Sequence, residues 1–199
     1  MDKEQYDLQK REKEKVKASA AKMRTVRKLI LWVVPVLTLV GAGFWMVSRI
    51  EPPSQDFSKA MPSEGATHIS EGTEIAYQSN PPTSGNHWPI PLTDGVYNTE
   101  KPEEAIVHSL EHGRVWISYK PTISEEVKKK LRKFGSQGVI ITPRSANETD
   151  IALAAWTRLD AFNLPADGAL DETRVRDFIL RYKNRGPENV PGMGGGKTY

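Results

Sequence analysis

Cysteine is absent from the 199 residues. No disulfide can staple the fold, no Cys-x-x-Cys pair can run thiol–disulfide exchange, and no thiolate can hold a metal. The folded part must therefore stand on its apolar core or on a bound ion. Any soft or borderline ion must be held by His, Glu, Asp or Met. The lack of cysteine does not identify a compartment. Internal repeats are missing too, and no Ser-His-Asp set or carboxylate pair for acid–base catalysis stands out. Histidine is scarce, with four in the chain.

Basic residues interleaved with aromatics are also lacking. Residues 1–28 hold ten Lys/Arg against five acids, a net +5, yet their one aromatic is Tyr6. The whole chain carries +3, so residues 29–199 are left at −2. The basic balance is a property of the leading segment, and it does not argue for nucleic acid. Gln5 to Arg27 reads as a charged helix along an anionic inner leaflet, or equally as a disordered tail.

One long uncharged run is present, from Leu29 to Ser48 (LILWVVPVLTLVGAGFWMVS). Twenty residues at about 1.5 Å each match a hydrocarbon core of about 30 Å, so the run predicts one transmembrane helix. Pro35, Gly41 and Gly43 are tolerated in such spans, and Trp32 and Trp45 lie near the two headgroup regions. A cleaved signal peptide would have a shorter core of roughly 7–15 residues and a small-residue cleavage site. An uncleaved signal anchor fits better. With the basic segment before it, the positive-inside rule places residues 1–28 in the cytoplasm and the remainder outside, on the cell membrane, with the lipid bilayer as a partner.

Pro52, Pro53 and Pro62 make residues 49–66 an extended tether. Residues 67–185 then suffice for one compact domain. Glu74–Tyr77 is a strand candidate, and the Pro/Gly-rich stretch 80–95 excludes a regular element. Pro102-Glu103-Glu104 opens a helix that Gly113 ends. Arg114–Tyr119 alternates as a strand, and Ser124 caps a helix running to about Phe134. Val139–Thr142 suits a buried strand. Ile151–Phe162 is read as one strand, antiparallel to 139–142. Asp171–Lys183 is an amphipathic helix. The stretch 186–199, with five glycines and two prolines in fourteen residues, reads as a flexible tail. The expected fold class is α+β: one N-terminal transmembrane helix, then a small extracytoplasmic domain with a mixed sheet and two or three helices. A thioredoxin-like topology shares this order, but its redox chemistry is excluded.

All four histidines fall between His68 and His112. His108 and His112 are four apart and share a helix face, with Glu111 beside them. His87 stands at the tip of Pro81-Pro82-Thr83-Ser84-Gly85-Asn86-His87-Trp88-Pro89, a loop stiffened by prolines, which is expected to pack on residues 105–113. The candidate metal ligands are His68, His87, His108, Glu111, His112 and, if the tail folds back, Met193. Imidazole and carboxylate suit zinc or copper, and Met193 would tilt the choice toward Cu(I). The alternative is structural: Trp88 plugs the core and His87 bonds a backbone carbonyl. His108-Ser-Leu-Glu-His112 also matches the H-x-x-E-H pattern of inverzincin peptidases, with Glu188 76 positions downstream. That fold needs a far larger domain, however, and a motif helix that continues past Gly113.

PPTSGNHWP at 81–89, Gly95-Val96-Tyr97, VHSLEHG at 107–113 and AAWTRLD at 154–160 together resemble an uncharacterised bacterial membrane-anchored family, domain of unknown function 3105. The resemblance covers about residues 66–190. It implies a single-span protein with an outer domain, and singles out His87, His108, Glu111 and His112. It supplies no activity. Three functions are compatible with these readings. The first is a membrane-anchored domain binding copper or zinc for metal handling rather than catalysis. The second is an accessory or structural subunit packing along other membrane protein subunits, without a metal. The third is a zinc-dependent hydrolase.

Overall fold

The computed structural model describes residues 31–33, 35, 37–38, 55–188 and 196–199. The chain divides into two compact units, 1–52 and 53–199. In the first, the described residues are helical and exposed, and the Thr38 hydroxyl donates to the Pro35 carbonyl at 2.8 Å. No helix among the described residues is long and apolar enough to cross a membrane. The expected span 29–48 lies mostly outside them.

The second unit is built on a six-stranded mixed sheet: β1 (Lys59–Ala60), β2 (Gly95–Val96), β3 (Val115–Tyr119), β4 (Val139–Pro143), β5 (Ile151–Ala155) and β6 (Arg158–Phe162). Three helices accompany it: α1 (Glu103–Glu111), α2 (Glu125–Arg132) and α3 (Glu172–Tyr182). The strand order is β1-β6-β5-β3-β4-β2. β4 runs parallel to β3 (Trp116 opposite Ile140), and β5 runs antiparallel to β3 (Ile117 opposite Leu153). The three central strands are buried at every position, as expected where both faces of a sheet are covered.

Side chains alternate between those faces. Val115, Ile117, Val139, Ile141, Ile151 and Leu153 pack with Val127 and Leu131 of α2 and Val175 and Phe178 of α3. Trp116, Ile140 and Ala154 pack instead with Ala105, Ile106 and Leu110 of α1 and with Trp88. The histidine-bearing helix and the histidine-bearing loop thus share one face of the sheet. The helices on the other face begin as their sequences predict. The Ser124 hydroxyl accepts from the Val127 amide at 3.3 Å, and the Asp171 carboxylate accepts from the Arg174 amide at 2.9 Å.

Four elements differ from expectation. Residues 151–162 form a hairpin, β5–β6, turning at Trp156-Thr157, and β5 pairs with β3 rather than β4. β4 is flanked by β3 and β2, so no edge is left for β5 there. Glu74–Tyr77 is not a strand; the amides of Ile75 and Gln78 donate to the carboxylates of Glu104 and Glu64 instead of to a ladder. The latter part of the expected tether lies on the domain: β1 pairs with β6, and the Tyr182 hydroxyl donates to Asp56 at 2.5 Å. Of the glycine-rich tail, Glu188 is hydrogen-bonded to Glu111, and Lys197 pairs with Pro91 and Thr93.

Candidate metal centre

α1 follows its N-cap Pro102 and places its apolar side against the sheet, which turns His108 and Glu111 toward the loop. His112 is the C-cap residue, and its amide still donates to the His108 carbonyl at 3.2 Å. The i, i+4 pair therefore keeps helical geometry, with the two Nε2 atoms 3.2 Å apart. Gly113 follows at φ +81°, where a Cβ would come within 2.9 Å of Asn184, so glycine is needed to end the helix here.

The loop is anchored on several sides. The Thr83 carbonyl accepts from the Thr157 amide at 3.0 Å, the Tyr77 hydroxyl donates to the Asn86 carbonyl at 2.8 Å, and the Trp88 indole donates to the Thr73 carbonyl at 2.9 Å. Gly85, at φ +124°, packs where a Cβ would stand 2.9 Å from the Tyr77 ring. Residues 67–69 then pair with His87 through two backbone bonds, Ile69 N to His87 O at 2.8 Å and His87 N to Thr67 O at 3.1 Å. This short bridge brings His68 alongside.

Three imidazoles result within one cluster. Ring centroids are 4.9 Å apart for His68–His87, 4.7 Å for His68–His108 and 4.7 Å for His87–His108. His87 and His108 are buried and His68 is exposed. One ligand atom from each of His68, His87, His108 and Glu111 lies within 4.8 Å of every other. The loop thus meets α1 as the sequence led us to expect.

Hydrogen bonding fixes the tautomers. His87 Nδ1 lies 2.8 Å from the Gly85 carbonyl, and His108 Nδ1 lies 2.7 Å from the Trp88 carbonyl. A carbonyl only accepts, so each Nδ1 carries the proton and, in the neutral ring, each Nε2 presents a lone pair. Backbone-held imidazoles of this kind are the usual arrangement behind a metal ligand. Burial pushes the pKa of His108 down to about 4, and burial also lowers those of His87 and His112. The rings are neutral at pH 7 and ready to coordinate.

The structural alternative accounts for part of this. Trp88 does pack in the core, and His87 does bond a backbone carbonyl. It leaves two atoms unexplained. His87 Nε2 and Glu111 Oε2 are 3.0 Å apart but not aligned as a hydrogen bond, and neither has a hydrogen-bond partner although both are buried. A buried polar atom without a partner costs about 1–3 kcal/mol. Burial, then the Glu188 carboxylate, pushes Glu111 up to about 7, so its charge is poorly supported by the protein alone. A cation between the two atoms would satisfy both. Tetrahedral zinc, with bonds of about 2.0–2.2 Å, sets its ligands roughly 3.3–3.5 Å apart, a spacing that small side-chain rotations would reach here.

His112 belongs to a second, adjoining group with Glu111 and Glu188, whose ligand atoms also lie within 4.8 Å of one another. The sequence marks Glu188 as a peptidase-like third ligand, but one in an irregular tail and therefore poorly held. The tail is docked at that point. The Glu188 amide donates to the Glu111 carbonyl at 3.1 Å, and a Cβ on Gly186 would collide with that carbonyl. The Gly186-Pro187 pair after the last helix was the available signal. Met193 lies outside the described residues.

A family model described as protein of unknown function (DUF3105) matches residues 68–193. No curated protein and no solved structure matches the chain.

Proposed function

Because the chain belongs to the DUF3105 family of proteins of unknown function, whose matched stretch begins at His68 and holds the whole histidine cluster, we propose that it binds a transition-metal ion through His68, His87, His108 and Glu111. The observation that carries this reading is the buried pair His87 Nε2 and Glu111 Oε2, 3.0 Å apart and each without a hydrogen-bond partner. Imidazole with carboxylate suits zinc or Cu(II). Nothing in the described ligand set favours Cu(I), since it offers neither thiolate nor thioether.

Metal handling suits the group better than catalysis. Four protein ligands around one ion leave no open position in a tetrahedral site, whereas a hydrolytic zinc keeps one for water. His68 is exposed, which gives the ion a way in and out. The uncharged run 29–48 and the basic residues before it support a single membrane anchor, with the domain outside the cytoplasm.

Titration calorimetry and elemental analysis with zinc and copper test the binding, on wild type and on the His108→Ala/His112→Ala double variant. Wild type should hold metal and the double variant should lose it. Zero stoichiometry for wild type would favour the accessory-subunit reading. Protease added outside intact cells should remove the domain after residue 50 while sparing residues 1–28.

A further inference from the structure

Glu111 stands in both ligand groups. Its carboxylate has two oxygens, and it lies within 4.8 Å, ligand atom to ligand atom, both of His68, His87 and His108 and of His112 and Glu188. We propose that the site is a two-ion centre, in which Glu111 bridges the first ion to a second, more exposed divalent ion held by His112 and Glu188. This rests on the metal-binding reading above and extends it.

The geometry of its ligands supports the second position: His112 Nε2 lies 3.4 Å from Glu188 Oε2, and Glu188 is fixed by its backbone bond to Glu111 rather than by chance proximity. One ligand atom from each of Glu111, His112 and Glu188 lies within 4.8 Å of every other.

The two positions differ in character. The inner one has three imidazoles and a buried carboxylate. The outer one has one imidazole and two carboxylates, and the Glu188 side chain is about half exposed. Three protein ligands leave its remaining positions to water. The outer ion is also repelled by the inner one and is screened by solvent, so it binds second and exchanges faster.

The test is zinc stoichiometry and stepwise titration on the full-length chain in detergent, with wild type beside Glu188→Gln. Glu188 is exposed, so the substitution leaves folding intact. Wild type should bind two zinc ions, the second at least tenfold more weakly. Glu188→Gln should keep the first and lose the second, or weaken it at least tenfold. Cobalt(II) gives a separate readout: the paramagnetic signal at one equivalent should be attenuated at two, through coupling across the shared carboxylate. Two ions of unchanged affinity in Glu188→Gln would overturn the proposal, and so would additive cobalt signals. One ion in wild type would overturn the second site while leaving the first. None would overturn both.

Discussion

Replacing Glu111 by Gln should stabilise the metal-free protein above pH 7 and weaken its response to zinc. The carboxyl keeps its proton up to about pH 7 in the folded chain, against 4.5 for the free group. A raised carboxyl pKa favours the fold fully below pH 4.5 and loses that contribution as the pH climbs through 7. The folded protein at pH 8 therefore carries a penalty of about 3 kcal/mol, because each tenfold change in proton affinity is worth about 1.4 kcal/mol. Glutamine has the same shape and no charge, and its amide can donate to the bare Nε2 of His87. The expected rise in melting temperature at pH 8 is roughly 6–12 °C for a domain of this size. Saturating zinc should change the comparison. At a free concentration of 100 times its Kd, zinc adds about 2.7 kcal/mol to wild type, and a ligand weakened tenfold loses about 1.4 of that. Thermal denaturation followed by circular dichroism, with chelator and with zinc, reads all four states. An unchanged or lower melting temperature for metal-free Glu111→Gln at pH 8 would show that the buried Glu111 charge does not destabilise the fold, and equal zinc stabilisation of both proteins would show that Glu111 is not a ligand.

His68→Ala should leave metal-free stability within about 0.5 kcal/mol, since the residue is exposed, while weakening zinc binding at least tenfold by calorimetry. Zinc uptake near pH 7 should release protons, because Glu111, pushed up to about 7, is partly protonated there while buried His108, with its pKa lowered to about 4, is already neutral. Calorimetry in buffers of different ionisation enthalpy reads the number released, which should rise as the pH falls below 7. Gly186→Ala should cost about 1–3 kcal/mol by denaturant unfolding, since its Cβ meets the Glu111 carbonyl, and should free Glu188 from α1.

Much of the frame was legible because local signals and global packing agree. The alternation of Val115–Tyr119, the Ser124 cap and the apolar stripe of Val175, Phe178 and Ile179 all name their elements without outside help. The His108/His112 spacing likewise placed two imidazoles on one helix face. The misses lie where distant groups decide. Trp156-Thr157 carries no glycine or asparagine, yet Thr157 sits at φ 56° and turns the β5–β6 hairpin. Its amide is tied to Thr83, a contact that no local pattern announces. Glu74–Tyr77 has strand composition, but its neighbours' carboxylates take the amides. Glu188 is marked by its spacing from His112, but its glycine-rich context signals flexibility in isolation and does not announce that it docks on Glu111. Here the absence of a side chain at Gly186 is what allows the chain to lie against α1.

The most direct test of a metal centre at the meeting of loop and helix is X-ray absorption at the zinc edge, on the full-length chain with one equivalent of zinc. The expected spectrum is that of a four-coordinate ion with nitrogen and oxygen neighbours at about 2.0–2.1 Å and the multiple scattering of three imidazoles, from His68, His87 and His108. A hydrated ion in an oxygen shell without imidazole scattering would contradict it.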